Sequence, residues 1–160
     1  MAEDHRFVAD QMLGRLSKWL RMLGFDTLYI NPVLDSDLLS LCKKDDRILL
    51  TRDTLLLKVR EIRDGQVKSL LVDHDDLSEQ LKQVIQNFHL RPNPRMVLCP
   101  EDNTLLEIAD KQTARQFVPR FIFQTQMEFS RCPKCNRFYW QGTHWQRIQE
   151  KVRTASKTED

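Results

Sequence analysis

Short apolar runs alternate with segments of helical periodicity through the first part of the chain. The apolar runs predict strands at residues 6–10, 25–30, 47–51 and 69–72. Apolar side chains at helical spacing predict helices at 11–23, 35–44, 53–63 and 77–88, the second of them capped by Asp35. Four such alternations indicate an α/β fold, a three-layer sandwich around a central parallel sheet with right-handed crossovers.

The pattern changes at Arg91-Pro92-Asn93-Pro94, where two prolines rule out a continuing helix. We therefore predict a first domain at 1–91, a small second domain at 92–150 and a polar, frayed tail at 151–160. The second domain begins with a short strand at 96–98, followed by a polar helical piece at 104–116. Its few aliphatic side chains make a poor core, so we expect a bound metal to stabilise it.

Composition narrows the class of protein only modestly. The 160 residues are 41% hydrophobic, as in globular proteins, and the net charge is +2, so any nucleic-acid surface must be local. The chain contains no run of eighteen apolar residues and no apolar leader after its polar first residues. We therefore expect a soluble, cytoplasmic protein with no membrane span.

The first predicted helix carries a basic stripe. Arg15, Lys18 and Arg21 lie opposite its leucines, at helical spacing. A solvated helix face is one interpretation. Contact with phosphate is the other, because this helix begins beside Asp10.

Aspartates follow the predicted strands. Asp10 and Asp53 end two of them, Asp37 lies on the first turn of the second helix, and Asp73 or Asp75 offers a fourth position. Taken singly, Asp10 and Asp53 could simply cap the helices that they precede, and Asp37 could interact favourably with the helix dipole. Together, at one edge of a parallel sheet, they would repel one another unless a cation neutralised them. Carboxylate oxygens favour Mg²⁺ or Mn²⁺, and converging carboxylates suit phosphodiester hydrolysis.

The four cysteines divide into two kinds. Cys42 lies in a helical pattern and is predicted to be a core residue. The pair Cys132-Pro133-Lys134-Cys135 has the spacing of a metal-binding knuckle, which a reducing compartment favours over a disulfide.

Longer motifs carry a family resemblance. The motifs are Phe7–Leu16, Trp19–Thr27, Asp37–Leu39, Ile48–Asp53, Gln80-Leu81, Cys132–Cys135 and Tyr139–Trp145. Across nearly its whole length the chain resembles the Mut-seven C-terminal family, PIN-like RNases with a zinc ribbon, in its stand-alone form. The resemblance implies a PIN-like fold followed by a zinc-ribbon-like β domain, with divalent-metal-dependent cleavage of RNA. It also implies that Asp10, Asp37 and Asp53 occupy the active-site positions.

The chain departs from this family in its ribbon. Family ribbons supply four cysteines, whereas here Asp102 stands where the second cysteine of the first knuckle, begun by Cys99, should be. A zinc site of Cys99, Asp102, Cys132 and Cys135 is chemically possible, although weaker than four thiolates. His144 is an alternative fourth ligand. A ribbon without metal, held by Phe121, Phe123, Phe129 and Trp140, is the other interpretation.

Aromatic and basic residues complete the candidate site. Aromatic side chains can stack on unpaired bases and basic ones can neutralise phosphate, although buried aromatics also dominate small cores. The predicted substrate-binding residues are Arg15, Lys18, Arg52, Trp140, His144 and Trp145. The expected partner is RNA, single-stranded or structured. A non-catalytic RNA- or protein-binding module on the same fold is the alternative function, and a DNA nuclease is a third option.

Overall fold

The computed structural model describes residues 4–156, and its centre is a four-stranded parallel sheet. The strands are β1 (Phe7–Ala9), β2 (Thr27–Tyr29), β3 (Ile48–Thr51) and β4 (Ser69–Leu71), in the order β2-β1-β3-β4. Val8 of β1 lies opposite Leu28 on one side and Leu49 on the other. The four predicted strands and their parallel arrangement are confirmed, each strand being shorter than predicted.

Helices follow the strands as the periodicity indicated. They are α1 (Gly14–Met22), α2 (Asp35–Asp45) and α4 (Leu77–Asn87), and a single 3-10 turn, Gln11–Leu13, precedes α1. The carboxylate of Asp76 caps α4 by accepting from the Glu79 amide. The prediction that Asp35 caps α2 is wrong: Leu34 occupies the cap position, and Asp35 lies inside the first turn.

The third predicted helix, 53–63, forms only in pieces. A 3-10 turn, Leu56–Lys58, is followed by the short helix α3, Arg60–Arg63. Val59 between them is extended, with ψ 153°. At the start of the segment, the Asp53 carboxylate accepts from the amides of Leu55 and Leu56, as an N-cap does, and the helix is interrupted farther on, where Val59 is extended.

The sheet has an apolar core on each face, because successive side chains on a strand point to opposite sides. Phe7 and Ala9 of β1 pack with α1 and α4 on one face, whereas Val8 packs with α2 on the other. The three-layer α/β arrangement is therefore present.

A separate antiparallel sheet follows. Its strands are β5 (Glu107–Ala109), β6 (Phe129–Arg131) and β7 (Phe138–Tyr139), and the short helices α5 (Lys111–Ala114) and α6 (Arg120–Thr125) lie between β5 and β6. The predicted helical piece at 104–116 is thus largely wrong, since β5 occupies part of it and only four residues are helical. The predicted strand at 96–98 is reduced to one bridge, between Leu98 and Leu105.

The last helix, α7 (Thr143–Ser156), returns to the first core. Its residues Ile148 and Val152 pack into the same cluster as α1 and α4. The polar tail predicted from residue 151 is therefore wrong as far as Ser156, because an apolar stripe keeps the helix docked. Residues 157–160 of that tail and residues 1–3 of the predicted first domain lie outside the described residues. No described helix combines the length and apolar character needed to cross a membrane.

The second part of the chain also docks onto the first through buried polar contacts. The guanidinium of Arg21 donates to the carbonyls of Thr27 and Pro100 and is only 4% exposed. Asn103 accepts from the Thr27 amide and donates to Asp26, which also accepts from Arg47. Arg21 thus does not belong to the predicted exposed basic stripe, because the second part of the chain covers that face of α1.

Asp26→Asn is expected to make the stability of the protein less dependent on pH. Burial acts to raise the pKa of Asp26, but hydrogen bonds from Arg47 and Asn103 outweigh it and hold the pKa below its ordinary value of 3.8. A carboxyl group with a lowered pKa stabilises the fold above that ordinary value and loses the effect as the pH falls through its folded pKa. We expect Asp26→Asn to cost about 1 kcal/mol near neutral pH, and less in acid.

Urea unfolding near neutral pH and at about pH 3 measures this difference. Asp64→Asn is the matched control, since Asp64 forms an exposed pair with Arg60 within one helical turn. A difference between Asp26→Asn and the unmodified chain that stays constant across the pH range would contradict the proposed cause.

Candidate active site and metal centre

Three aspartates lie at one edge of the parallel sheet. Asp10 directly follows β1, Asp53 follows β3 by two residues, and Asp73 follows β4 by two residues. Because β1, β3 and β4 are adjacent and parallel, their carboxyl ends share this acidic edge. Asp10 is buried, Asp53 is half-buried and Asp73 is exposed. Asp37, in the first turn of α2, is also exposed.

Thr51 links two of these aspartates. Its hydroxyl donates to Oδ2 of Asp10 at 2.6 Å and accepts from the Asp53 backbone amide at 3.0 Å. The other Asp10 oxygen, Oδ1, accepts from the Gln11 amide at 2.8 Å. Thr51 is fully buried at the end of β3 and was absent from the predicted site residues. Its place two residues before Asp53 on the same strand end was the available signal.

The predicted carboxylates do not close into one ligand group. Within residues 4–156, no three acidic side chains of this edge have oxygens within 4.8 Å of one another. Oδ1 of Asp53 bonds to two backbone amides of the next turn. Asp10, Asp37 and Asp53 are therefore neighbours in the topology, but the structure does not bring them together as a triad.

Arg52 is engaged within the protein. Its guanidinium forms an ion pair of 2.6 Å with Asp75, whose side chain is 94% exposed. Asp73 lies 3.6 Å from the His74 ring. Of the two candidates for a fourth acidic position, Asp75 is thus occupied by an arginine and Asp73 is not.

A second, closed cluster lies in residues 96–140, the part of the chain that contains the antiparallel sheet and that we call the ribbon. One ligand atom from each of Cys99, Asp102, Cys132 and Cys135 falls within 4.8 Å of all the others. The sulfurs of Cys99 and Cys135 are 3.7 Å apart, and the Cys132 sulfur is 3.4 and 3.5 Å from the Asp102 oxygens. Tetrahedral zinc with bonds of about 2.3 Å to sulfur and 2.0–2.2 Å to oxygen requires edges of about 3.8 and 3.6 Å. The four residues can hold a metal such as zinc.

The two metal-binding knuckles, residues 99–103 and 132–136, have the same backbone conformation. The amide of Asn103 donates to the Cys99 carbonyl, and the amide of Asn136 donates to the Cys132 carbonyl, both at 2.9 Å. Both asparagines have left-handed backbones, with φ of 66° and 64°, a conformation that asparagine tolerates well. The substitution at Asp102 thus leaves the knuckle geometry intact. His144 lies outside the cluster, so Asp102 is the fourth member.

A scan against family models finds the Mut7-C RNAse domain over residues 5–152. The chain belongs to the Mut7-C RNAse domain family. The match spans both the parallel sheet and the ribbon cluster, and the family description indicates a ribonuclease with RNA as its substrate. No curated protein matches the chain, and no solved structure matches it.

The electrostatics of the ribbon in this Mut7-C chain favour an anionic ligand at Asp102. Burial acts to raise the pKa of Asp102, but hydrogen bonds from Thr104 and from the thiols of Cys99 and Cys132 lower it to about 2. Burial raises the pKa of the Cys99 thiol to about 12, and this effect outweighs the hydrogen bond with the Tyr139 hydroxyl, 3.2 Å from the sulfur, which acts to lower the pKa. Metal binding must therefore displace the thiol protons, but it meets Asp102 already ionised.

The predicted substrate-binding residues of the Mut7-C chain differ in exposure. Arg15 and Lys18 are exposed on α1, as expected. Trp140 packs edge-on against Phe129 in the small core of the second part, at 6.3 Å between ring centroids. Trp145 is partly buried against the first core, and His144 is exposed with its ring edge-on to Trp19.

Two grooves lie on the surface of this Mut7-C chain. The larger, of about 930 Å³, lies at the amino ends of the strands, between His5 and Arg91, and contains none of the predicted site residues. A groove of about 750 Å³ is lined by Lys18, Trp140, His144 and Trp145 together. The structure thus brings four of the six predicted substrate-binding residues to one place.

Proposed function

We propose that the chain is a divalent-metal-dependent ribonuclease that hydrolyses RNA phosphodiester bonds at the acidic edge. The observation that carries the proposal is the buried carboxylate of Asp10, tied through the Thr51 hydroxyl to the Asp53 backbone. A buried carboxylate is costly unless a positive group balances it. Within residues 4–156, no lysine, arginine or histidine forms an ion pair with Asp10.

The donor set of this edge fits magnesium or manganese. Carboxylate oxygens are hard ligands, and the residues that would hold the ion are Asp10 and Asp53, with Asp37 and Asp73. When bound, a divalent cation supplies charge neutralisation at the phosphate and activation of water. The PIN-like classification belongs to this proposal, and the parallel order β2-β1-β3-β4 with acids at the carboxyl ends supports it.

The protein's own groups then have separate tasks. Thr51 orients Oδ2 of Asp10 and fixes the start of the Asp53 turn, so it sets the spacing of the two acids. Arg15 is exposed at the start of α1, five residues after Asp10, and offers positive charge to the RNA backbone. Arg52, paired with Asp75, orders the loop after β4 and reaches RNA only if that exposed pair opens.

The ribbon belongs to the proposal as a structural zinc site. Cys99, Asp102, Cys132 and Cys135 form a closed set of four ligands, which is the arrangement of structural rather than catalytic zinc. Arg21, held against the Pro100 carbonyl between the first two ligands, offsets part of the negative charge of three thiolates and a carboxylate.

A non-catalytic RNA- or protein-binding module is the second candidate function. The observation that favours it is the Asp53 carboxylate, which serves as a cap for the next turn rather than meeting Asp10 and Asp37. A fold of this kind can keep its acids for structural reasons alone.

Thermal stability and RNA cleavage, measured on one preparation, separate the two functions. Manganese at about ten times its dissociation constant should stabilise the chain by about 1.4 kcal/mol, or roughly 3–6 °C in melting temperature. Asp10→Asn is expected to erase this shift, and Asp64→Asn, which changes a carboxylate on the turn before β4, to retain it. A ribonuclease also cleaves labelled single-stranded or structured RNA. If millimolar manganese causes neither a shift in melting temperature nor cleavage of RNA, the result favours the binding module.

A further inference from the structure

The groove between α1 and the ribbon is rich in aromatic side chains. It has a volume of about 750 Å³, within the range of small-ligand pockets. We call it the aromatic groove, and the residues that define it are Trp19, Phe117, Tyr139, Trp140, His144 and Trp145. They come from α1, the loop after α5, the end of the ribbon sheet and the start of α7. No single element would reveal this groove by its own sequence.

The faces of some of these rings are open to solvent. Phe117 is 65% exposed and stacks on Phe138, with centroids 5.1 Å apart and planes 12° from parallel. His144 is exposed at the other end, beside Trp19. An aromatic ring that is already stacked on one side and open on the other can accept another flat ring.

Cations surround the groove. Lys18 and Arg137 line it, and both contact the carboxylate of Glu101, at 3.1 and 3.6 Å. The ammonium of Lys151 lies 5.2 Å from the centroid of the Trp19 ring. Positive groups thus outnumber the one acidic residue of the lining, so the rim is complementary to phosphate.

Trp145 adds a hydrogen-bond donor that lacks a partner. Its indole N–H is buried, and no group within residues 4–156 accepts from it. A buried donor without an acceptor is uncommon in folded proteins, and it lies here on a residue that lines the groove.

We propose that the aromatic groove binds an unpaired base of the RNA, an inference that rests on the proposed function in taking RNA as the substrate. Stacked aromatic rings beside cations are the general means of holding single-stranded nucleic acid. In a duplex, neighbouring bases cover the ring faces, so only an unpaired base can enter.

The position of the groove matches this role. Lys18 follows Asp10 by eight residues, three in the 3-10 turn Gln11–Leu13 and five in α1, which at about 2.0 and 1.5 Å per residue places it roughly 14 Å farther along the chain. The groove therefore begins close enough to the acidic edge for one RNA strand to contact both. Its occupant selects single-stranded over double-stranded substrate.

The test compares two exposed phenylalanines of the same segment. Phe117 lines the groove, whereas Phe121, 70% exposed, does not. Phe117→Ala, Phe121→Ala and His144→Ala are made in the full chain carrying Asp53→Asn, which prevents cleavage. Fluorescence anisotropy then measures binding of labelled oligouridylate of about ten nucleotides and of a duplex of the same length.

We expect Phe117→Ala and His144→Ala each to weaken binding of the single strand by about 5- to 100-fold, while Phe121→Ala stays within about twofold. Duplex binding should change little in all three. Melting curves check that each variant remains folded, and His144→Ala provides the test if Phe117→Ala does not fold. Equal affinities for the Phe117 and Phe121 variants, with His144→Ala unchanged, overturn the proposal and leave the groove to a protein partner.

The outcome is independent of the nuclease assignment. If the unmodified chain does not cleave RNA but Phe117→Ala loses affinity, the groove proposal holds and the ribonuclease proposal fails. If the unmodified chain cleaves RNA and the two phenylalanine variants bind equally, the reverse applies.

Discussion

Asp53→Asn is expected to reduce manganese-dependent RNA cleavage by at least about 100-fold while leaving the fold and the affinity for RNA nearly unchanged. Asparagine still offers the oxygen that accepts from the Leu55 and Leu56 amides, so the turn after β3 should persist. It lacks the negative charge that a divalent ion requires. Cleavage of labelled RNA under single-turnover conditions, with a melting curve of the same sample, measures both effects.

A pair of buried threonines provides the control. Thr51→Val removes the hydroxyl that joins Asp10 to the Asp53 backbone and should lower cleavage by about 10- to 100-fold, as loss of a supporting ligand partner does. Thr27→Val removes an equally buried hydroxyl, which donates to the Phe25 carbonyl at the start of β2. It should cost similar stability with no change in cleavage. Undiminished cleavage by Asp53→Asn would remove that residue from the mechanism.

Cys132→Ser is expected to abolish zinc binding and to lower the melting temperature by about 10 °C, equivalent to about 3–4 kcal/mol. Cys132 is fully buried between Asp102 and the Cys135 amide, and serine supplies no thiolate. Mass spectrometry of the purified protein measures its zinc content, and calorimetry its melting temperature. Cys42→Ser is the matched control, because Cys42 is a buried thiol of the α2 core outside the cluster.

Asp102→Cys should change zinc affinity in the opposite direction. A fourth thiolate is a softer donor than carboxylate, so the variant should retain zinc at chelator concentrations that strip the unmodified chain. An unchanged zinc content in Cys132→Ser, or weaker binding in Asp102→Cys, would contradict the assignment of this cluster as a zinc site.

The parallel sheet could be predicted from the sequence because its signals are local. Each strand is a short apolar run, and α4 has a periodic apolar stripe within its eleven residues and a capping aspartate directly before them. The wrong predictions concern segments whose structure depends on contacts with distant parts of the chain. The segment after Asp53 has helical periodicity, yet its backbone is extended at Val59 and divides it into two short pieces. Helix α7 has few apolar residues, and the burial of Ile148 and Val152 depends on α4, which is distant in the chain.

The residues of the candidate site also fall into two groups, those that local sequence patterns indicated and those that only the fold reveals. The positions of Asp10 and Asp53 at strand ends followed from the pattern, and so did the spacing of Cys132 and Cys135. Thr51 and Glu101 could not be found so readily, because each has a partner that only the fold brings near; for Thr51 this partner is Asp10. Glu101, for example, joins Lys18 of α1 to Arg137 of the ribbon. The helical periodicity places Arg21 on the polar face of α1, where a basic side chain is expected to be exposed. It is buried because the ribbon packs on that face and accepts a hydrogen bond from it.

The return of α7 to the first core has a consequence for biosynthesis. Leu81, Val84 and Ile85 of α4 share their cluster with Ile148 and Val152, which a ribosome makes more than sixty residues later. The nascent sheet and its helices therefore leave the exit tunnel with this apolar face uncovered, and a chain that ended at the proline-rich segment 91–94 would lack the residues that cover it. Native packing of α4 therefore requires synthesis of the carboxyl-terminal helix. Until then, the exposed apolar face of α4 is a surface that a chaperone can bind.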